Sequence, residues 1–166
     1  MNDAKTTAGL AAMVLTACLT SAPAAQAAIV SYTATLSGAA EAPPNASPGT
    51  GFTQVDIDVV AHTLRVRANF SGLIGNTTAS HIHGATAVPG AGTAGVATQT
   101  PSFLGFPLGV TSGSMDTTFD LTLTSSWNAA YITANGGSPA SAEAAFAAAL
   151  AAGRTYLNIH STFAPG

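Results

Sequence analysis

At 166 residues the chain has room for one folded domain but not for two, and residues 1–27 read as an address rather than as part of the fold. Only 7% of residues are charged, with four Lys plus Arg against seven Asp plus Glu, so there is no basic run to neutralise a phosphate backbone and nucleic acid is excluded as a partner. The one cysteine, Cys18, excludes an intrachain disulfide, and stability must come from packing.

Residues 1–27 carry Lys5, an apolar run over residues 8–15, and the small-x-small ending Ala25-Gln26-Ala27. That pattern predicts a signal peptide cleaved after Ala27, hence a secreted or periplasmic protein. Leu15-Thr16-Ala17-Cys18 also matches a lipobox, which makes lipoprotein anchoring at Cys18 the alternative. No apolar run approaches the roughly 20 residues that a transmembrane helix needs.

The folded part, residues 28–166, opens with Val30, Tyr32, Ala34 and Leu36 alternating with hydroxyl side chains, which predicts a first strand. Pro43-Pro44 and Pro48-Gly49 then make residues 38–51 a long connection. Val55, Ile57 and Val59 share one face, and Leu64, Val66, Ala68 and Phe70 share another. A hairpin that sets Val59 opposite Leu64 also sets Asp58 opposite Arg65 and Asp56 opposite Arg67. Residues 71–78 read as a turn, 79–83 as a short strand, and 84–95 as a Gly- and Pro-containing loop. A brief strand is expected at 96–100, an apolar loop at 101–107, and a further strand through Thr117, Phe119, Leu121 and Leu123.

Trp127 and Tyr131, four apart, predict a short helix over residues 125–134. Ser138-Pro139 begins a second, alanine-rich helix over 140–152, and Gly153 stands where a C-terminal cap belongs. Tyr156, Asn158 and His160 alternate with Leu157 and Ile159 in a last strand. Alternating strands, Gly/Pro-rich connections and local helices predict a mainly β chain, an antiparallel β-sandwich with one or two inserted helices.

Catalytic patterns are scarce. There is no G-x-S-x-G, no phosphate loop with a lysine and no H-E-x-x-H. Asp56 and Asp58 share a face, but the arginines opposite them predict ordinary ionised surface groups, so no catalytic residue is assigned.

The histidines are the chemically informative residues. In His81-Ile82-His83 the strand spacing projects both imidazoles from one face, and His160 shares a face with Tyr156 and Asn158. His81, His83 and His160 converging from two strands would suit copper(II) or zinc. The same residues also suit a structural role, with His81 and His83 bonding backbone and His160 anchoring the last strand. His62, at the expected hairpin tip, is a poor fourth member. Glu41, in a loop beside two prolines, either caps a strand end or points toward the histidines.

Three segments in this order carry a resemblance: Tyr32-Thr33-Ala34-Thr35-Leu36-Ser37-Gly38 with Glu41-Ala42-Pro43-Pro44, then Ala79-Ser80-His81-Ile82-His83-Gly84, then Tyr156-Leu157-Asn158-Ile159-His160 before Pro165-Gly166. Together they resemble the CHRD domain, named after chordin, over residues 29–166. The resemblance implies an extracytoplasmic β-sandwich of immunoglobulin/superoxide-dismutase-like architecture, with no catalytic residues to carry over. His81-Ile82-His83 is also similar to the copper-ligand strand of copper/zinc superoxide dismutases, whose zinc loop and disulfide have no counterpart here.

Relatives continue after Pro-Gly with a Gly-Glu-Ile-Arg-Gly-like last strand that is missing here, so the resemblance implies an unpaired strand edge and, with it, marginal stability or self-association. The expected function is therefore an exported non-catalytic binding or structural module. Its partner would be an extracytoplasmic protein or polysaccharide, met by the loops at 84–95 and 101–109. The alternative is a histidine-based copper or zinc protein of superoxide dismutase type.

Overall fold

The computed structural model describes residues 29–165, so the signal-peptide and lipobox readings lie outside the described residues. Alternation along the chain becomes six strands: β1 (Val30–Ser37), β2 (Thr50–Asp58), β3 (Thr63–Ser71), β4 (Thr77–Gly84), β5 (Gly113–Asp120) and β6 (Thr155–Ser161). Helices α1 (Ala129–Ala134) and α2 (Pro139–Ala151) lie between β5 and β6. One sheet runs β1-β2-β3-β5 and the other pairs β4 with β6, all antiparallel. This is the expected β-sandwich with two inserted helices. No helix among the described residues is long and apolar enough to cross a membrane.

Period-2 alternation places Val55, Ile57, Leu64, Val66, Met115 and Phe119 of the larger sheet in one buried cluster with Ile82 and Leu157 of the smaller. Helix α2 adds Phe146 and Leu150 to that cluster. Trp127 meets Phe146 edge-on at 5.6 Å and stacks on Tyr131 at 6.0 Å. Fully burying side chains of this size contributes roughly 1.5–3 kcal/mol each, which fits a chain that relies on packing.

The β2-β3 hairpin departs from the expected register by two residues. Val55 lies opposite Val66, Ile57 opposite Leu64, and Asp58 opposite Thr63. A shift of two leaves every buried residue on the buried face, so burial alone does not choose between the registers. The turn chooses. The Asp58 carboxylate accepts from the backbone N–H groups of Val60 and Ala61, both at 2.9 Å, and His62 takes φ 54°, so residues 59–62 form the turn. Val59 is consequently exposed. The expected Asp58–Arg65 pair does not form, and Arg65 instead grips Asp116 of β5 through two bonds of 2.7 and 2.6 Å. The expected Asp56–Arg67 pair forms diagonally, at 2.5 Å.

Three other boundaries move. The strand expected at 96–100 is reduced to isolated bridges, Val96 with His83 and Thr98 with Trp127. The strand expected to reach Leu123 ends at Asp120, whose carboxylate takes both the backbone N–H and the hydroxyl of Thr122 and turns the chain. The first helix starts only at Ala129, because Asn128 caps it by accepting from the Ala130 N–H, while Trp127 is extended and donates its indole N–H to the Leu121 carbonyl at 2.9 Å. Helix α2 follows expectation, with Pro139 at its start and Ser138 and Ser141 capping each other reciprocally. Gly153, at φ 64°, supplies the left-handed residue that ends it.

Among the described residues β1 pairs only with β2, and β6 only with β4. Between them lies a cleft of about 230 Å³, lined by Ala34, Leu36 and Glu41 on one side and Tyr156, Asn158 and Ile159 on the other.

Candidate metal centre

The β4-β6 register sets His81 opposite Asn158, His83 opposite Tyr156, and Ala79 opposite His160. Residues paired this way point to one face, and Ile82 and Leu157 point to the other, into the core. Burial of the apolar face therefore forces His81, His83, Tyr156, Asn158 and His160 together on the opposite face. Loop 84–96 reaches this group through Ala94. His81 and His83 are buried, and His160 is partly buried.

The three histidines offer one ligand atom each within 4.8 Å of one another. His81 Nδ1 and His83 Nε2 are 3.1 Å apart. The His81 ring lies 5.0 Å from that of His83 and 4.7 Å from that of His160. Nδ1 of His83 is 2.8 Å from the Ala94 carbonyl, which can only accept, so that nitrogen carries a proton and Nε2 is the nitrogen left to face the cluster. A backbone carbonyl fixing the tautomer in this way is a common feature behind metal-ligating histidines. Tyr156 stacks on His83 at 4.7 Å with planes 7° apart, and its hydroxyl donates to the same carbonyl at 3.4 Å.

Burial pushes the His81 imidazole down to about 4, helped by charge repulsion from His160 and His83. Burial also lowers His160, against the opposing pull of the Pro165 carbonyl. Both rings are then neutral at pH 7, the form that binds metal. The Nε2 of His160 is buried and has no hydrogen-bond partner among the described residues. A buried nitrogen left unpaired costs roughly 1–3 kcal/mol, which a cation at that position would offset.

In kind the donor set suits a first-row metal ion, but its spread of up to 4.8 Å exceeds the roughly 4.1 Å that two ligands on one such ion can span, so the rings would have to close in on binding. Ligands about 2.0–2.1 Å from zinc sit roughly 3.3 Å apart in a tetrahedron, and cis ligands of a square copper(II) site sit roughly 2.9 Å apart. The 3.1 Å between His81 and His83 falls between those values. A zinc or copper(II) ion would be held by His81, His83 and His160.

Glu41 is half-buried beside the cluster: desolvation raises its carboxyl, and attraction to His83 partly opposes this. His62 takes no part, since its Nδ1 contacts the buried Glu143 of α2 at 2.8 Å. Sequence reasoning placed Tyr156 and Asn158 on the correct face but missed that Asn158 Oδ1 lies 3.1 Å from His83 Nε2. It also missed the Ala94 carbonyl. The alternation Tyr-x-Asn-x-His was the available signal for the first, whereas nothing local marks the second.

Neither a curated protein nor a solved structure matches the chain. The family model of the CHRD domain matches residues 32–166, which takes in both histidine-bearing strands and the Glu41 loop, and the chain belongs to that family.

Proposed function

We propose that this chain is an exported, non-catalytic binding module whose ligand is a transition-metal ion, zinc or copper(II), held by His81, His83 and His160. Membership of the CHRD family supports a module rather than an enzyme. One observation carries the metal reading: two buried imidazoles and one partly buried one, from two strands, converge within 4.8 Å while the Nε2 of His160 has no partner among the described residues. Superoxide turnover fits less well. Attracting an anion calls for positive potential at the site, and the charged group coupled to the cluster is the acidic Glu41.

Elemental analysis after equilibration with zinc or copper(II) and gel filtration tests the proposal. The expected result is about one ion per chain, lost in His81→Ala combined with His160→Ala. A metal-free wild-type protein, or a double variant that keeps the ion, would sink it.

A second reading concerns partners. The unpaired edges of β1 and β6 flank one cleft, and that favours self-association by strand pairing. Sedimentation velocity across a concentration series should show a growing dimer boundary, and a monomer throughout would end this reading. Of the two loops assigned to a protein or polysaccharide partner, 84–95 is engaged with His83 through Ala94. Loop 101–109 keeps Leu104 and Leu108 exposed.

A further inference from the structure

We infer that Asn158 supplies a fourth donor to the three-histidine site through its Oδ1, making an N3O set that favours zinc and copper(II) over copper(I). The inference rests on the metal reading above and adds a ligand to it.

Placement carries the argument. The Ala94 carbonyl lies 2.8 Å from His83 Nδ1, which leaves Nε2 as the ring nitrogen that faces the cluster. His83 Nε2 lies 3.1 Å from Asn158 Oδ1. The other neighbour of His83 Nε2, also at 3.1 Å, is His81 Nδ1. His83 Nε2 thus has a nitrogen and an oxygen at equal distance, each at the separation expected of adjacent ligands on one small cation.

The strands fix this placement. Asn158 stands directly opposite His81 in the β4-β6 register, and two residues before His160 on the same face of β6. Asn158 Oδ1 thus contacts one histidine of β4 and stands in register opposite the other. A carboxamide oxygen is a harder donor than imidazole, and copper(I) prefers soft sulfur ligands. Its contribution should appear with zinc and copper(II) and vanish with copper(I).

Competition against a chromophoric chelator tests this in the wild type, Asn158→Ala and Asn158→Asp, with zinc and with copper(I). Asn158→Ala should weaken zinc by about tenfold or more, within the range seen when groups around a metal are removed, and leave copper(I) within about twofold. Asn158→Asp keeps an oxygen at the site and should bind zinc at least as tightly as the wild type. If Asn158 serves only to donate its NH2 to His83, the Asp variant weakens as the Ala variant does, and the inference falls. It falls equally if Asn158→Ala binds zinc like the wild type, or loses copper(I) in the same proportion.

Copper(II) paramagnetic resonance gives a second readout, because removing an oxygen donor changes the parallel g value and hyperfine splitting. Superimposable spectra from wild type and Asn158→Ala would overturn the inference even if the Ala variant were less stable. A wild type that binds no ion at all overturns the metal proposal itself, an outcome distinct from a wild type that binds and an Asn158→Ala that binds equally well.

Discussion

Asp56 shows how one side chain acquires its role from several strands at once. Its carboxylate accepts from Ser31 of β1 at 2.6 Å, from Gln54 of its own strand at 2.9 Å and from Arg67 of β3 at 2.5 Å. The Ser31 hydroxyl leads in holding its pKa below the ordinary value of 3.8; desolvation opposes it, and Gln54 and Arg67 add to the lowering. A folded-state pKa below the unfolded one stabilises the protein fully above about pH 3.8 and is lost as pH falls through the lower, folded value. Asp56→Asn should therefore cost about 1–2 kcal/mol at pH 7 and flatten the acid limb of stability against pH, measured by urea unfolding. An unchanged acid limb would show that the three donors contribute little beyond their exposure to water.

At the scale of elements, local signals decided the ends of α2 and misled the β2-β3 hairpin. Ser138, Pro139 and Gly153 act within a few residues of themselves, so their meaning was readable from the chain. Ser138→Ala should cost about 1 kcal/mol through the lost cap, and Gly153→Ala a similar amount because a side chain is strained at φ 64°. Thermal melts of the two variants check this, and a melting point unchanged in both would mean that tertiary packing alone sets the helix ends. The hairpin was harder to read. Its apolar faces fit equally well in registers two residues apart, and the choice fell to the Asp58 side chain folding back on its own turn. An Asp was visible at that position, but so was an arginine for it to pair with, and only the turn geometry ranks the two.

For the molecule as a whole, stability depends on the contact between α2 and the sandwich. Phe146 is fully buried, and its ring meets both Trp127 and Tyr131 edge-on. Phe146→Ala should cost about 3–5 kcal/mol, a large part of the roughly 5–15 kcal/mol that holds a domain folded. Urea unfolding would register this as a fall in midpoint with little change in slope. A loss below about 1 kcal/mol would mean that the helix is peripheral to the core. The same body carries the histidine face on the outside of its smaller sheet, so the site and the core are two sides of β4 and β6.

The sequence by itself determined which residues share a face. Strand alternation has a period of two and caps act within one turn, so the alternating faces within each strand, α2, the pairing of His81 with His83 and that of Asn158 with His160 were all local properties. The CHRD motifs were legible for the same reason, as short runs of neighbouring residues. Only the tertiary structure decided which faces meet. The Arg65–Asp116 pair spans 51 residues, the His83–Asn158 contact spans 75, and the Ala94 carbonyl reaches His83 from an irregular loop. No periodicity records such distances, because they are set by the packing of whole sheets and by backbone groups that every residue carries alike.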